Sequence, residues 1–158
     1  MFSNRHVIIA LLVAPLLSIG AWFAVGTFIG ETPSPAEPGR DYSLLAKSNC
    51  RYDSGRCELS NGDLTLAIEA MPAASGWQLR IVASHPLRGV VLAVTENGRA
   101  GQPHTLQTGP EGARQWLLDL PALPAAGARL QVVVAAGASR YYADTATDFL
   151  QRYRNPAS

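Results

Sequence analysis

The sequence contains little cysteine, almost no lysine and few charged residues, and these shortages exclude whole classes of protein. Only two cysteines occur, with no histidine close to them, so the clustered Cys and His ligands of a zinc site are missing. Lys47 is the only lysine, and 13 basic residues are balanced by 12 acidic ones for a net charge of +1. Because no basic run forms, a nucleic-acid-binding protein is excluded.

Catalytic signatures are missing as well. A nucleophile needs a base within hydrogen-bond reach and a third group that orients the base, and neither a GxSxG elbow nor an SxxK motif is present. The sequence therefore predicts no enzyme. Its 158 residues, 47% of them hydrophobic with 14 Gly and 11 Pro, indicate one ordered, turn-rich domain with short appendages.

A long uncharged run extends from Val7 to Gly30. As a helix that rises ~1.5 Å per residue it would reach about 36 Å, enough to cross a hydrocarbon core of about 30 Å. Arg5 precedes the run and Glu31 follows it, so the positive-inside rule places residues 1–6 in the cytoplasm and everything after Gly30 outside. The sequence thus predicts a single-pass anchor at 7–30 in a bacterial inner membrane. A cleaved signal peptide is the alternative, although its apolar region is shorter, about 7 to 15 residues.

Small residues form a row along this run, at Ala10, Ala14 and Ser18. Such rows let a second transmembrane helix approach closely, so one interpretation is a membrane-protein partner. The other is that small residues are simply common in membrane helices.

The segment 31–40 contains three prolines and predicts a stiff, solvated linker. The folded domain is predicted at 41–158, on the periplasmic side. In that oxidising compartment Cys50 and Cys57 are expected to form a disulfide, as opposite residues of a hairpin whose turn is residues 53–54.

A second hairpin is predicted directly after the cysteines. The dipeptide Asn61-Gly62 favours a two-residue turn with positive φ. With that turn Leu59 faces Leu64 and Cys57 faces Leu66, so the apolar residues and the disulfide share one side of the ribbon.

Alternation of apolar and polar residues predicts further strands with one buried face. The alternating sets are Leu64, Leu66 and Ile68; Trp77, Leu79 and Ile81; and Val90, Leu92 and Val94. Extended segments are also predicted at 103–108, 114–120, 129–136 and 139–143. About eight strands over roughly a hundred residues predict a mainly β fold, an antiparallel sandwich of immunoglobulin-like type. A short C-terminal helix is expected within 145–153, with Phe149, Leu150 and Tyr153 packed back on the sandwich.

His85, His104 and Met71 are the candidates for a metal site. Imidazole and thioether ligands both suit copper, and each residue lies beside a predicted turn, so a copper site on the rim of the sandwich is one hypothesis. Solvated loop histidines are the competing interpretation. No cofactor is required for folding, since the alternating apolar residues supply a core.

The segment 139–148, SRYYADTATD, is the candidate contact surface. It contains Arg140, Tyr141, Tyr142 and Asp144 within five positions. Tyr and Arg are enriched at interaction hot spots. The alternative is that these aromatics lie on an edge strand and cover the core. A separate salt-bridged face, which would be solvated or dock a charged partner, is indicated by carboxylates that alternate with arginines: Asp53, Glu58, Asp63 and Glu69.

Three segments resemble the FixH/YtkA-like periplasmic domains: GWQLRIVAS, leading into PLRGVVLAV, and later QWLLDL. Those domains follow one membrane helix and carry an extended strand, a Pro-x-x-Gly-Val step and a Trp-led strand. The resemblance covers 76–120 and implies an immunoglobulin-like periplasmic domain with a role in cytochrome-oxidase assembly or copper delivery. The chain departs from the family in its Cys50/Cys57 hairpin and its membrane-proximal region, and no site residue of the family maps onto it.

Two functional hypotheses follow. The first is a membrane-tethered accessory module, a subunit or assembly factor of an inner-membrane complex, whose sandwich contacts a membrane-protein or periplasmic partner. The second is a small periplasmic copper chaperone that uses His85, His104 and Met71. The accessory module needs no catalytic or metal site in the domain. The copper chaperone requires its three ligands to lie close together.

Overall fold

A computed structural model describes Ile9, Leu11, residues 13–21 and residues 38–154. The chain forms two compact units, residues 1–33 and residues 34–158. In the first unit the described residues are helical, and the Ser18 hydroxyl donates a 2.9 Å hydrogen bond to the Ala14 carbonyl one turn earlier. No helix formed by the described residues is both long enough and apolar enough to span a membrane.

Much of the predicted N-terminal region lies outside the described residues. This holds for the predicted cytoplasmic segment 1–6, for most of the predicted anchor at 7–30, which includes Ala10, and for 31–37 of the predicted linker. The anchor, its small-residue row and the linker therefore stay predictions.

The second unit is built almost entirely of β-strands. They are β1 (Asp41–Ser43), β2 (Leu45–Ala46), β3 (Arg56–Asn61), β4 (Leu64–Ala73), β5 (Gly76–Ala83), β6 (Gly89–Glu96), β7 (Arg99–Ala100), β8 (His104–Thr105), β9 (Gln107–Gly109), β10 (Gly112–Leu120), β11 (Arg129–Ala136) and β12 (Ser139–Ala146). Two 3-10 helices, Ser48–Arg51 and Asp148–Leu150, and one α-helical turn, Gln151–Arg154, are the helical elements described in this unit. The prediction of a mainly β fold is confirmed.

The strands form two sheets. Sheet A has the order β1-β12-β11-β6-β7, with β8 also paired to β6, and sheet B has the order β2-β3-β4-β5-β10-β9. Every pair among the described strands is antiparallel except β1 with β12, which run parallel. The predicted antiparallel arrangement therefore holds apart from this edge pair.

Side chains from both sheets meet in one hydrophobic core. Its fully buried members include Leu59, Leu66, Ile68, Leu79 and Ile81 from sheet B and Val90, Leu92, Leu130, Val132 and Val134 from sheet A. They occupy the inward positions of the alternation, because successive strand residues point to opposite faces. The alternating sets predicted on β4, β5 and β6 are confirmed as strands with one buried face.

The hairpin between β3 and β4 is displaced from its predicted register. Its turn residues are Gly62 and Asp63, so Leu59 lies opposite Leu66 and Cys57 lies opposite Ile68. Gly62 has a φ of 54°, and Asp63 is not among the residues with positive φ, which is the pattern of a type II′ turn with glycine first. The predicted partners were wrong by two residues, but the same side chains keep the core face because the side-chain period is 2.

Cys50 and Cys57 form the predicted disulfide, with their Cα atoms 4.2 Å apart, but they do not face each other across a hairpin. Cys57 is on β3, whereas Cys50 lies in the 3-10 helix Ser48–Arg51. The predicted hairpin was wrong because β3 already pairs with β4 on one side and with β2 on the other, where Lys47 N–H also donates to the Glu58 carbonyl. We call residues 50–57 the disulfide loop.

The C-terminal helix begins later than predicted. β12 continues to Ala146, which pairs with Arg129, so residues 145 and 146 extend the strand. Helical structure occupies Asp148–Leu150 and Gln151–Arg154. As predicted, Phe149 and Leu150 are fully buried, and Tyr153 packs against the core with its ring centroid 5.4 Å from that of Trp77.

The extended segment predicted at 103–108 is divided between the two sheets. β8 pairs with β6 of sheet A, whereas β9 pairs with β10 of sheet B. Leu106 lies between them, is 3% exposed and donates its N–H to the Val90 carbonyl. Burial of this one apolar side chain marks the point where the chain passes from one sheet to the other.

Candidate contact surface

The outer face of sheet A carries a row of apolar side chains. The strand register places Tyr142 of β12 beside Val133 of β11, and Val133 beside Val91 of β6. Tyr142 is 51% exposed, Val133 is 44% exposed and Val91 is half-buried. Since neighbouring strands are about 4.8 Å apart, the three side chains form one continuous apolar strip in contact with solvent.

This strip differs from the other exposed apolar side chains of the domain. In residues 38–154 the exposed large hydrophobic side chains are Leu45, Tyr52, Val133 and Tyr142. Leu45 lies on the edge strand β2 and Tyr52 lies in the disulfide loop. Val133 and Tyr142 alone among the four are direct cross-strand partners. Scattered single apolar residues are normal on a protein surface, whereas adjoining ones indicate an interaction site.

Ion pairs flank Tyr142 on both sides along β12, so they border the strip at its Tyr142 end. Arg140 binds Asp41 through two hydrogen bonds, Nε to Oδ1 at 2.8 Å and Nη2 to Oδ2 at 3.2 Å. Arg129 donates from Nε to Asp144 Oδ1 at 2.7 Å. We call these four residues, together with Tyr142, Val133 and Val91, the contact face. An apolar centre within a polar rim is the usual composition of a protein interface.

The contact face contains only part of the surface predicted from sequence. Arg140, Tyr142 and Asp144 point outward, but Tyr141 is 8% exposed and belongs to the core, so its assignment to a contact surface was wrong. Alternation along β12 turns every second residue inward. There the Tyr141 ring stacks on Tyr42 with centroids 5.4 Å apart, and burial, assisted by Tyr42, raises the pKa of its hydroxyl.

Sequence reasoning missed four members of the contact face: Asp41, Val91, Arg129 and Val133. Val133 is the middle one of three consecutive valines, and its neighbours Val132 and Val134 are buried. An apolar residue at an outward position of an alternating strand was the available signal. Asp41 and Arg129 join the face only through strand pairing, which sequence alone does not reveal.

The outer face of sheet B has a different character. Glu69 accepts hydrogen bonds from Arg56 at 2.9 Å and from Arg80 at 2.5 Å. Glu58 pairs with Lys47 next to them. The predicted salt-bridged face is therefore found for these two carboxylates, and the contact face stands on the opposite side of the sandwich.

The other two carboxylates of that prediction do not join the ion-pair row on sheet B. Asp53 lies in the disulfide loop, where its carboxylate accepts a hydrogen bond from Arg152 N–H and its carbonyl accepts one from Arg152 Nη2 at 2.7 Å. Asp63 is a turn residue, and its carbonyl accepts a hydrogen bond from the Ser84 hydroxyl at 2.9 Å. Asp53 is therefore exposed and salt-bridged as predicted, with Arg152 Nε 3.5 Å from its Oδ1, but away from the row on sheet B. The placement of Asp63 in the salt-bridged face was wrong, because Asp63 lies in a turn and not on a strand.

The predicted copper ligands do not meet. Met71 pairs with Gln78 at one end of the β4–β5 ladder, whereas His85 follows Ala83 at the other end. Five strand residues of ~3.3 Å each separate Gln78 from Ala83, about 17 Å, so Met71 and His85 cannot bind one ion. His85 and His104 are exposed, and His85 Nδ1 lies 3.0 Å from the Ser84 hydroxyl. The three-residue site was wrong because a long hairpin holds two of its members at opposite ends.

A groove of about 850 Å³ lies at one end of the sandwich. Val94, Leu120, Leu123 and Pro124 supply apolar walls, and Glu96 and Arg99 supply its charges. The Glu96 carboxylate already accepts a 3.2 Å hydrogen bond from the Ala125 N–H. In the described part of the chain, no group of three or more His, Cys, Asp and Glu side chains is arranged to hold a metal ion.

No family model, no curated protein and no solved structure matches this chain. The resemblance of residues 76–120 to the FixH/YtkA-like domains therefore stays a prediction.

Proposed function

We propose that this protein is a membrane-tethered, periplasmic contact module, an accessory subunit or assembly factor of an inner-membrane complex, which binds a protein partner through the contact face. One observation carries the proposal: Tyr142, Val133 and Val91 form an exposed apolar strip that two ion pairs border at its Tyr142 end. Keeping this strip in water has a cost of about 25 cal/mol per Å² of apolar area. A partner that covers it removes that cost.

The composition of the face supports a protein partner. Tyrosine and arginine are enriched among the residues that dominate binding energy, particularly where a ring of polar contacts excludes water. Tyr142 and Val133 contribute nothing to the core, since their side chains point away from it. Sheet B shows that the same fold can cover its outer face with ion pairs, so the apolar strip is not imposed by the architecture.

The order of the strands supports an immunoglobulin-like sandwich. Such domains place four strands, A-B-E-D, against three, G-F-C. Sheet B contains the run β4-β5-β10-β9 and sheet A the run β12-β11-β6, which reproduce this order when the seven strands are lettered along the chain. In that assignment the contact face belongs to the three-stranded sheet, with β1 added beside its last strand.

The tether rests on the uncharged run from Val7 to Gly30, preceded by Arg5. Alkaline phosphatase is active only when exported, so its fusion after Ser158 should give active enzyme in the membrane fraction. The matched control is the same fusion lacking residues 1–30, which should be inactive. Activity in the soluble periplasmic fraction, or no activity from the full chain, would contradict the proposed location.

The contact itself is tested by photo-crosslinking of the full chain in living cells. A benzophenone amino acid at position 142 or 133 should form a covalent adduct with a protein, because both positions lie inside the proposed interface. The control position is 56 on the outer face of sheet B, where the arginine side chain is 53% exposed and no adduct is expected. Equal adduct yields at 56 and 142, or none at 142 and 133, would reject the contact face.

A further inference from the structure

We propose that the partner seated on the contact face is a second copy of this chain, related by a twofold axis. The inference rests on the proposed function, since it names the occupant of the same surface. It is carried by the distribution of charge along β12, where Arg140, Tyr142 and Asp144 alternate on one face of the strand.

The spacing of these residues makes the surface complementary to itself. Arg140 and Asp144 lie two residues to either side of Tyr142, and each is ~6.7 Å away along the strand. Suppose that the twofold axis lies in the plane of the interface and runs along the row Tyr142, Val133, Val91, perpendicular to the strands. This axis reverses the strand direction in the second copy. Arg140 of each copy then lies opposite Asp144 of the other, and the strip of each copy lies on the strip of the other.

The remaining positions agree with this axis. Ala135 and Gln131 flank Val133 on β11, and Gly89 and Ala93 flank Val91 on β6. Rotation places Ala135 opposite Gln131 and Gly89 opposite Ala93, so at each of these contacts one side chain is small or absent. An axis parallel to the strands, between β12 and β11, would instead place Arg140 opposite Ala135 and Asp144 opposite Gln131. The two charges of each copy would then face uncharged residues.

The ion pairs within each copy prepare the charged side chains for this contact. Asp41 holds the Arg140 guanidinium and Arg129 holds the Asp144 carboxylate. Both members of the intermolecular pair are therefore oriented before the copies meet, which lowers the entropic cost of association. An isologous contact requires this kind of self-complementary patch.

The contact face is small for a protein interface. Four strands about 4.8 Å apart and the three outward rows that this axis superimposes, about 6.7 Å apart, would bury about 800 Å² in total, the size of a weak interface. We therefore expect micromolar association of the detergent-solubilised chain. Confinement of both copies to one membrane would raise their effective concentration.

Charge reversal on either side of Tyr142 tests the axis. The variants Arg140→Asp and Asp144→Arg, each made in the full chain and solubilised in detergent, should weaken self-association at least about tenfold, because like charges then face each other. A 1:1 mixture of the two variants should recover dimers that contain one copy of each, since carboxylate and guanidinium are again opposite. Native mass spectrometry of the two chains with different isotope labels distinguishes the dimer of each variant from the mixed dimer.

Arg56→Asp is the matched control, because it breaks a comparable surface ion pair with Glu69 on the opposite side of the sandwich. It should leave self-association unchanged. Variants that had merely unfolded would not recover on mixing. Undiminished dimers of the two single variants, a wild-type chain that stays monomeric, or no recovery in the mixture would each overturn the second-copy proposal.

The crosslinking result separates this inference from the proposed function. An adduct from position 142 with twice the mass of the chain supports the second copy. An adduct with a different protein would overturn the second copy while keeping the contact function. No adduct from either 142 or 133 would reject both.

Discussion

Replacing Phe149 with alanine should lower the free energy of unfolding by about 3 to 5 kcal/mol, the usual cost of deleting a buried phenyl ring. Phe149 is fully buried and is among the largest side chains of the core. It lies in the 3-10 helix Asp148–Leu150, and its carbonyl accepts a 2.8 Å hydrogen bond from Gly55 of the disulfide loop. A cavity here would loosen both the core and the attachment of that loop.

Gly55 packs closely against the C-terminal segment that follows Phe149. Gly55 has a φ of 74°, and a Cβ atom on it would come within 3.0 Å of Arg152 Cδ and of the Tyr153 hydroxyl. The disulfide loop and the C-terminal segment are thus in close contact.

Urea unfolding followed by tryptophan fluorescence measures this prediction. Tyr52→Ala is the matched control, since Tyr52 is an aromatic residue of the adjoining disulfide loop but is 69% exposed. Its effect should stay within about 0.5 kcal/mol, as for most surface substitutions. Similar losses for the two variants would show that Phe149 does not anchor this part of the core.

Loss of the disulfide should have the second-largest effect. Closing the short loop between Cys50 and Cys57 is expected to stabilise the domain by about 2 to 3 kcal/mol through the lower entropy of the unfolded chain. In a domain of this size ~1 kcal/mol changes Tm by at least about 4 °C. Cys57→Ser should therefore lower Tm by about 10 °C.

The native environment of the bond adds to this expectation. Cys50 and Cys57 are 1% and 0% exposed, and Cys57 Sγ lies 3.6 Å from the Thr145 hydroxyl of β12. The bond therefore ties the 3-10 helix Ser48–Arg51 to β3 at a point where β3 contacts β12, and its loss would free that helix.

Thermal melts with and without reductant provide an internal control. Reductant should shift the wild-type Tm toward that of Cys57→Ser and leave the variant unchanged. Intact-mass analysis after alkylation without reductant should find no free thiol in the wild type. Two alkylated cysteines, or equal melting of wild type and variant, would contradict a stabilising disulfide.

Much of the sandwich could be predicted from local sequence. Alternation with a period of two is a property of neighbouring residues, so β4, β5 and β6 were recognised, and the bounds of β11 were predicted residue for residue. The disulfide followed from having only two cysteines. Polar residues on the β3–β4 hairpin likewise indicated the salt-bridged outer face of sheet B.

The turns were harder to predict, because turns at neighbouring positions keep the same side chains on the core face. A turn at Asn61-Gly62 and a turn at Gly62-Asp63 both bury Leu59 and Leu66, and only the full β3–β4 ladder selects the second. Cys50 shows a related effect. Its segment has the polar turn residues of a hairpin, but β2 already lies beside β3, so the segment folds into a 3-10 helix.

The sequence by itself determined the inward and outward residues of each long strand, since the pleat assigns them by alternation. Tertiary structure alone decided which outward residues are neighbours. Tyr142 and Val133 adjoin through the β11–β12 hairpin, whereas Val91 lies far earlier in the chain and joins them only because β11 also pairs with β6. Pairing of β1 with the distant β12 likewise brings Asp41 to Arg140. The local β4–β5 hairpin, in contrast, holds Met71 far from His85. Pairing between distant strands depends on the packing of the whole core, so local pattern identified the strands of the contact face but not the face itself.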